Sequence, residues 1–291
     1  MIRRRIATSA LNSMDRSTCR KHARVDAFVF VIGLVSTLVV IPATMAGSVD
    51  VNITADNGYE FAFGSSTGIN QSVQGPVNNT LNGDIFSCGT PGPEHYSAIP
   101  ASAGDFMYVV AINDGSVTQG VLGQVSFNGG APFFSGTNWQ VYDTGISGSP
   151  AAFPSVATIN AYIAAANAGT GPASGSKGWV SSAGAGTTGA VGVLAIGEDN
   201  SDAGGDFGIA CQSGPSGIGP SARWMWYNPN PATISDPFQT ANTPGHGTNV
   251  IIFRVIPASV PFPAVSLPAT AVLILLMAAG LVVWTIRQRT S

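Results

Sequence analysis

Alternation of apolar and polar residues predicts a first pair of β-strands near the start of the central part of the chain. Residues 49–53 and residues 59–63 each place apolar side chains at every second position, with Asp56-Asn57-Gly58 between them. A period of two is typical of a strand with one buried face, and an Asn-Gly step is typical of a two-residue turn. The pattern therefore predicts a β-hairpin over residues 49–63.

Further apolar runs predict more strands of the same kind. They are short, and Gly-rich segments separate them. The predicted strands cover residues 106–112, 120–127, 139–142, 189–196, 207–211, 223–227 and 249–256. Many short strands joined by Gly-rich turns are typical of a β-sandwich.

One segment has the period of a helix instead. Ser155 can cap its N-terminus, and Gly169 can end it in a left-handed conformation. The apolar face consists of Val156, Ile159, Tyr162, Ile163 and Ala166. We predict one short helix packed at the edge of the sandwich, followed by a long loop over residues 170–188.

The start of the chain has the composition of an export signal. A basic leader precedes an apolar run over residues 28–41, and Pro42-Ala43-Thr44-Met45-Ala46 follows. A helix over this run is only about 21 Å long, whereas the hydrocarbon core of a bilayer is roughly 30 Å thick. We predict a signal peptide over residues 1–46, cut by signal peptidase after Ala46. An uncleaved anchor is the alternative, and translation from Met14 is an alternative start.

The end of the chain contains a second apolar run. Residues 267–286 carry no charge and are long enough to span a membrane, and Arg287 and Arg289 follow directly. Since arginines beside a span stay in the cytoplasm, the central part is expected on the outer side. We therefore predict a β-sandwich ectodomain over residues 47–257, and a sorting motif, a transmembrane helix and a basic tail over residues 258–291.

A short motif precedes the second apolar run. It consists of Val260, Pro261, Phe262, Pro263 and Ala264. This motif, the span and the basic end together resemble the VPLPA-CTERM and PEP-CTERM sorting tails, with Phe262 in place of the usual Leu. The resemblance implies processing by an exosortase-type enzyme, passage through the inner membrane, and delivery to the cell surface or extracellular matrix of a bacterium that makes exopolysaccharide. A plain single-span anchor is the alternative.

Several short sequence segments in the central part resemble those of an uncharacterised group of bacterial secreted proteins. They are residues 54–59, 197–200, 222–227 and 252–254. The first, Thr54-Ala55-Asp56-Asn57-Gly58-Tyr59, is also similar to the opening of galactose-binding-like jelly rolls. The resemblance implies a jelly-roll fold. Together with the predicted strands and helix, it gives the expected fold, a mostly β, jelly-roll-like β-sandwich with one short helix. It identifies no binding residue.

The net charge and the cysteine content of the central part limit the partners and the compartment that we expect for this protein. Between residues 47 and 259 only three basic residues stand against thirteen acidic ones, so the net charge is −10 with neutral histidines. Such a surface repels nucleic acid and anionic membranes. With Cys19 in the leader, Cys88 and Cys211 form an even pair, and we predict a disulfide between them in an oxidising compartment. Two separate buried thiols are the alternative.

Motifs for catalysis are few. The central part has only His95 and His246, which is too few for a histidine-rich metal site, and it contains neither H-E-x-x-H nor C-x-x-C. Residues 64–68 match G-x-S-x-G, but a nucleophile elbow needs a helix directly afterwards. Asn70, Gly75 and Pro76 follow instead. We therefore predict no enzyme activity.

Two groups of residues are candidates for ligand binding. Calcium binds six to eight oxygens, and an acidic loop could supply them through Glu198, Asp199, Asp202 and Asp206. A solvated loop without metal is the alternative. Four indoles could stack on sugar rings, namely Trp139, Trp179, Trp224 and Trp226. The alternative for the pair on one face of the predicted strand 223–227 is the core, where such pairs most often lie.

These observations predict an exported, non-catalytic protein of the cell envelope or extracellular matrix that binds polysaccharide. Two alternatives stay open, a secreted hydrolase acting on a glycan and a structural surface protein without a ligand. Turnover of an exopolysaccharide, saturable binding without turnover, or neither, would separate the three.

Overall fold

The computed structural model describes residues 46–77, 85–88, 92–102 and 104–255. Residues 1–45 of the signal peptide predicted over residues 1–46, the sorting motif at residues 260–264 and the predicted span at residues 267–286 lie outside the described residues. Within the described ranges, no helix has both the length and the apolar character needed to cross a membrane.

The described residues form two antiparallel sheets, which confirms a mostly β fold of the sandwich type. Sheet A has the strand order β12-β13-β7-β1-β5, with β8 also on β7. Its strands are β1 (Ala46–Asp56), β5 (Glu94–Ser102), β7 (Gly120–Phe127), β8 (Phe133–Phe134), β12 (Val193–Asp199) and β13 (Arg223–Asn228).

Sheet B has the strand order β11-β10-β9-β14-β6-β2-β3, with β4 also on β2. Its strands are β2 (Gly58–Ser65), β3 (Gly68–Ile69), β4 (Val73–Val77), β6 (Phe106–Ile112), β9 (Trp139–Ser147), β10 (Val180–Ser181), β11 (Gly184–Ala185) and β14 (Asn249–Val255). The main core lies between the sheets. Val51 and Ile53 of sheet A pack there in one cluster with Val109, Ile251 and Phe253 of sheet B.

The predicted hairpin over residues 49–63 is wrong. Strand β1 pairs with β5 and β7 in sheet A, whereas β2 pairs with β3, β4 and β6 in sheet B. Asn57, between the two strands, is where the chain passes from one sheet to the other. Alternation shows which side of a strand is buried, but it does not identify the neighbouring strand, so two such segments can face each other across a core as well as pair side by side.

The predicted helix is confirmed. Helix α1 (Val156–Ala168) begins after Ser155, whose hydroxyl accepts a hydrogen bond from the Thr158 backbone N–H, and it ends at Gly169 with φ 68°. Its buried residues Ile159 and Ile163 pack in a second cluster with residues of sheet B such as Tyr108. The helix therefore covers the side of sheet B that faces away from the main core.

Other predicted strands agree with the structure to different degrees. The strands at residues 106–112 and 120–127 have the predicted bounds, and the one at 139–142 extends to Ser147. The segment at 207–211 forms no strand. Strand β5 has no counterpart in the prediction because it contains Pro100 and alternates weakly; four of its nine residues are exposed.

The predicted disulfide between Cys88 and Cys211 is confirmed, with a Cα–Cα distance of 4.8 Å. It joins two segments that cover sheet A. The Cys211 backbone N–H donates to the Phe86 carbonyl, and the buried Asn52 amide of β1 donates to the Gly217 carbonyl in the segment after Cys211. The bridge therefore links two segments of the layer that covers sheet A.

Candidate functional site

The acidic loop begins with two carboxylates that accept hydrogen bonds from nearby groups. Glu198 Oε1 accepts from the Phe207 backbone N–H at 2.7 Å. Asp199 Oδ1 accepts from the backbone N–H and the hydroxyl of Ser201, and these bonds lower the pKa of Asp199. Both side chains thus organise the turn that follows β12.

The other two carboxylates of the loop have separate partners. Asp202 Oδ1 accepts from the Gly204 backbone N–H, and Asp206 Oδ1 accepts from the Gln239 side chain at 2.8 Å. Burial, and then the nearby Asp206, raise the pKa of Asp236. In the part of the chain that the structure describes, no three His, Cys, Asp or Glu side chains lie together so that they could hold a metal ion.

Asn200 explains why this segment keeps its shape. Its side chain is fully buried, and its amide donates to the carbonyls of Ala210 and Ile218. Its Oδ1 accepts from the Ala210 backbone N–H at 2.7 Å. A buried amide satisfied in this way fixes a loop through its backbone. The sequence segment at residues 197–200 therefore has a structural role in the fold.

All four tryptophans predicted as sugar platforms are buried, and none is more than 3% exposed. Trp224 stacks on Phe207 with ring centroids 3.9 Å apart. Trp139 donates its Nε1–H to the Phe134 carbonyl. Since these rings pack against protein, their faces are not open to a sugar in this conformation.

The G-x-S-x-G match at residues 64–68 lies on the turn between β2 and β3. The next residues form strand β3 and pair back onto β2, so no helix follows the central Ser66. The Ser65 hydroxyl interacts with the Thr67 hydroxyl at 2.8 Å, and both residues are exposed. The match therefore forms a hydroxyl-rich turn and not a nucleophile elbow.

Beside this turn lies a surface that we call the Arg254 patch, formed by residues 65–67, Phe106, Gln140, Asn167 and Arg254. The half-buried Arg254 of β14 donates from Nε to Gln140 Oε1 at 2.9 Å and from Nη1 to Asn167 Oδ1 at 3.0 Å. The Asn167 amide in turn donates to the Ser66 carbonyl. The patch thus joins β14, β9, helix α1 and the β2–β3 turn.

Aromatic rings support the guanidinium of the patch. Arg254 Cζ lies 3.9 Å from the ring centroid of Trp179 and 5.2 Å from that of Phe106. Trp179 is fully buried below, whereas Phe106 is partly exposed. Burial lowers the pKa of Arg254 to about 10, so the side chain keeps its charge at neutral pH. The patch therefore combines a cation, amides, hydroxyls and one accessible aromatic ring.

Sequence reasoning missed this patch, because its residues are far apart in the chain. The sequence shows Arg254 as one of only three basic residues in the central part. That scarcity was the only available signal. Stacking on Trp179 and the amide partners depend on the pairing of β14 with β9 and on the position of α1.

A second polar group involves the only ion pair between side chains of the described residues. His246 Nδ1 lies 2.5 Å from Oδ2 of Asp143, whose side chain is fully buried. Asp143 Oδ1 also accepts from the Asn249 amide and the Gly145 backbone N–H. A buried carboxylate that orients a histidine resembles half of a catalytic triad. Among the described residues, however, no hydroxyl or thiol hydrogen-bonds to His246.

Comparison of the chain with protein-family profiles, with curated proteins and with solved structures finds no match.

Proposed function

We propose that this chain is an exported, non-catalytic protein of the cell envelope or extracellular matrix that binds polysaccharide. In this proposal, a signal peptidase removes the leader, an exosortase-type enzyme processes the tail at residues 260–264, and the protein passes through the inner membrane only transiently. The sandwich is of the jelly-roll type. The disulfide supports the external location, because such bonds persist in oxidising compartments.

The Arg254 patch is the observation that carries the binding function. Polysaccharides present hydroxyls and C–H faces, and sites for them combine amides, hydroxyls and an aromatic ring. The patch contains all three groups, with Phe106 in place of the four buried tryptophans. It also lies beside the exposed Ser65 and Thr67, which can exchange hydrogen bonds with sugar hydroxyls.

The test uses exopolysaccharide prepared from the bacterium that produces the protein. Affinity electrophoresis through gels containing this polymer measures binding, and reducing-end release measures turnover. Saturable retardation without release of reducing ends is the expected result. If the polymer neither retards the protein nor is shortened, the binding proposal fails in favour of a structural surface protein.

A glycan-acting hydrolase is the second candidate, favoured by the buried Asp143 that orients His246. If reducing ends are released, the His246→Ala variant decides whether this pair is responsible. Loss of turnover by a folded His246→Ala variant would support the hydrolase. Turnover that His246→Ala leaves unchanged would separate the activity from the pair.

A further inference from the structure

Arg254 is a half-buried cation with no acidic partner among the described residues. The only ion pair recorded in those ranges joins His246 to Asp143. Arg254 instead donates to the neutral oxygens of Gln140 and Asn167. A charge that loses water without gaining an opposite charge is costly, and the lowered pKa of Arg254 reflects that cost.

The rest of the chain offers little to complete the pair. Of the fifteen acidic residues of the chain, only Asp84 and two residues of the predicted signal peptide, Asp15 and Asp26, lie outside the described residues, and residues 256–291 contain neither Asp nor Glu. None of the three cations of the body forms an ion pair with a carboxylate among the described residues, and Arg254 is the one whose guanidinium lies beside two aromatic rings. The opposite charge that the described residues do not supply would have to come from an anion of another molecule.

The surroundings of Arg254 indicate which anion fits. Arg254 also hydrogen-bonds to the Tyr108 side chain. A guanidinium has five N–H groups, which is more than Gln140, Asn167 and Tyr108 use, and it matches a planar carboxylate through paired hydrogen bonds. The ring of Phe106 lies beside the guanidinium and stacks on Tyr108, and its partly exposed remainder provides apolar surface next to the charge. The β2–β3 turn adds the hydroxyls of Ser65 and Thr67. A carboxylate attached to a sugar ring supplies a partner for each of these groups.

We propose that the Arg254 patch binds the carboxylate of a uronic acid residue in an acidic polysaccharide. This inference rests on the proposed polysaccharide binding and names the class of sugar. The net charge of −10 opposes a polyanion at long range, but salt screens this repulsion beyond about 8 Å at physiological ionic strength. Contact at Arg254 is short-range, so it persists under those conditions.

The test compares a polyuronate with the same polymer after its carboxyl groups have been reduced to alcohols. The native protein is titrated into each polymer in a calorimeter at about 150 mM salt. A chelator is present, so calcium cannot bridge the protein and the polymer. We expect the polyuronate to bind at least tenfold more tightly than its reduced form. This comparison changes only the ligand, so it does not depend on any variant folding.

Variants then assign the preference to one residue. Arg254→Gln is expected to lose the tenfold preference, and Arg254→Lys to keep part of it. The matched control is Arg223→Gln, because Arg223 is an exposed cation of sheet A whose side chain donates to the Gly197 carbonyl. Circular dichroism spectra and melting temperatures verify that each variant folds.

Three outcomes overturn the inference. Equal affinity for the two polymers removes the role of the carboxylate while leaving polysaccharide binding intact. A full preference in folded Arg254→Gln places the carboxylate elsewhere. No binding to either polymer or to the native exopolysaccharide removes both this inference and the proposed function.

Discussion

Asp56 shows how the fold changes the chemistry of a single residue. It ends β1, where the chain passes between the sheets, and it is only 8% exposed. Burial raises its pKa from 3.8 to about 6; Asp114 adds to this shift, while a 2.6 Å hydrogen bond from the Thr118 hydroxyl opposes it. Between pH 4 and pH 6, the Asp56 carboxyl group is therefore protonated more often in the folded protein than in the unfolded chain.

The raised pKa predicts a particular pH dependence of stability. Stability from protonated Asp56 is fully present below pH 4 and is lost as the pH rises through 6, a change of up to about 3 kcal/mol in the free energy of unfolding. We expect Asp56→Asn to show a smaller decline between pH 4 and pH 7 in urea unfolding. The matched control is Asp202→Asn, which removes an exposed carboxylate in place of a buried one. An Asp56→Asn protein with an unchanged pH dependence would contradict the assignment.

Elements that depend on neighbouring residues could be predicted from the sequence, whereas strand pairings that depend on distant residues could not. Helix α1 was predictable because Ser155, Gly169 and the apolar period all lie within one short segment. Strand β6 was predictable because its residues are almost all apolar. The pairing partners of β1 and β2 were not predictable, since they depend on contacts with β5, β7 and β6, far along the chain.

The candidate site follows the same division. The acidic loop was visible in the sequence as a dense run, but the bonds of its carboxylates to neighbouring groups were not. The indoles were visible as aromatic residues, but alternation in a strand could not decide which face of β13 was covered. The Arg254 patch required three strands, a helix and a turn to come together, so no local pattern contained it.

Helix α1 leads to two predictions about stability, one for its N-cap Ser155 and one for its buried residue Ile163. Ser155→Ala removes the bond to the Thr158 backbone N–H and should lower the free energy of unfolding by about 1 kcal/mol, whereas Ser155→Asp should preserve it. Ile163→Ala leaves a cavity under the helix and should cost about 2–5 kcal/mol. Denaturant unfolding measures both effects. Equal stabilities of the alanine and aspartate variants at position 155 would rule out the capping role.

Calcium binding by the acidic loop stays a prediction. Glu198 Oε1 and Asp199 Oδ1 already accept hydrogen bonds from Phe207 and Ser201, and these bonds compete with an ion for the same oxygens. A melting temperature that rises with calcium, and that Asp206→Asn reduces, would support the site. The same melting temperature in chelator and in millimolar calcium would show that the loop is a solvated turn.

For the whole molecule, the disulfide is the main covalent constraint. Cys88 and Cys211 are 123 residues apart, so their bond restricts a large loop of the unfolded chain. Removing it through Cys88→Ser and Cys211→Ser together should lower the free energy of unfolding by about 2–5 kcal/mol. Wild-type protein unfolded in reducing buffer should match the double variant. Equal stability of oxidised and reduced wild-type protein would contradict the prediction.

We propose that the folded body functions outside the cytoplasm. Mass spectrometry of a non-reduced digest of protein recovered from the cell surface and culture medium tests it most directly. We predict a first residue near Gly47, a last residue near the motif at residues 260–264, and one cross-linked peptide joining Cys88 to Cys211. Protein found only inside cells, with an intact leader and with both cysteines free and alkylated, would contradict it.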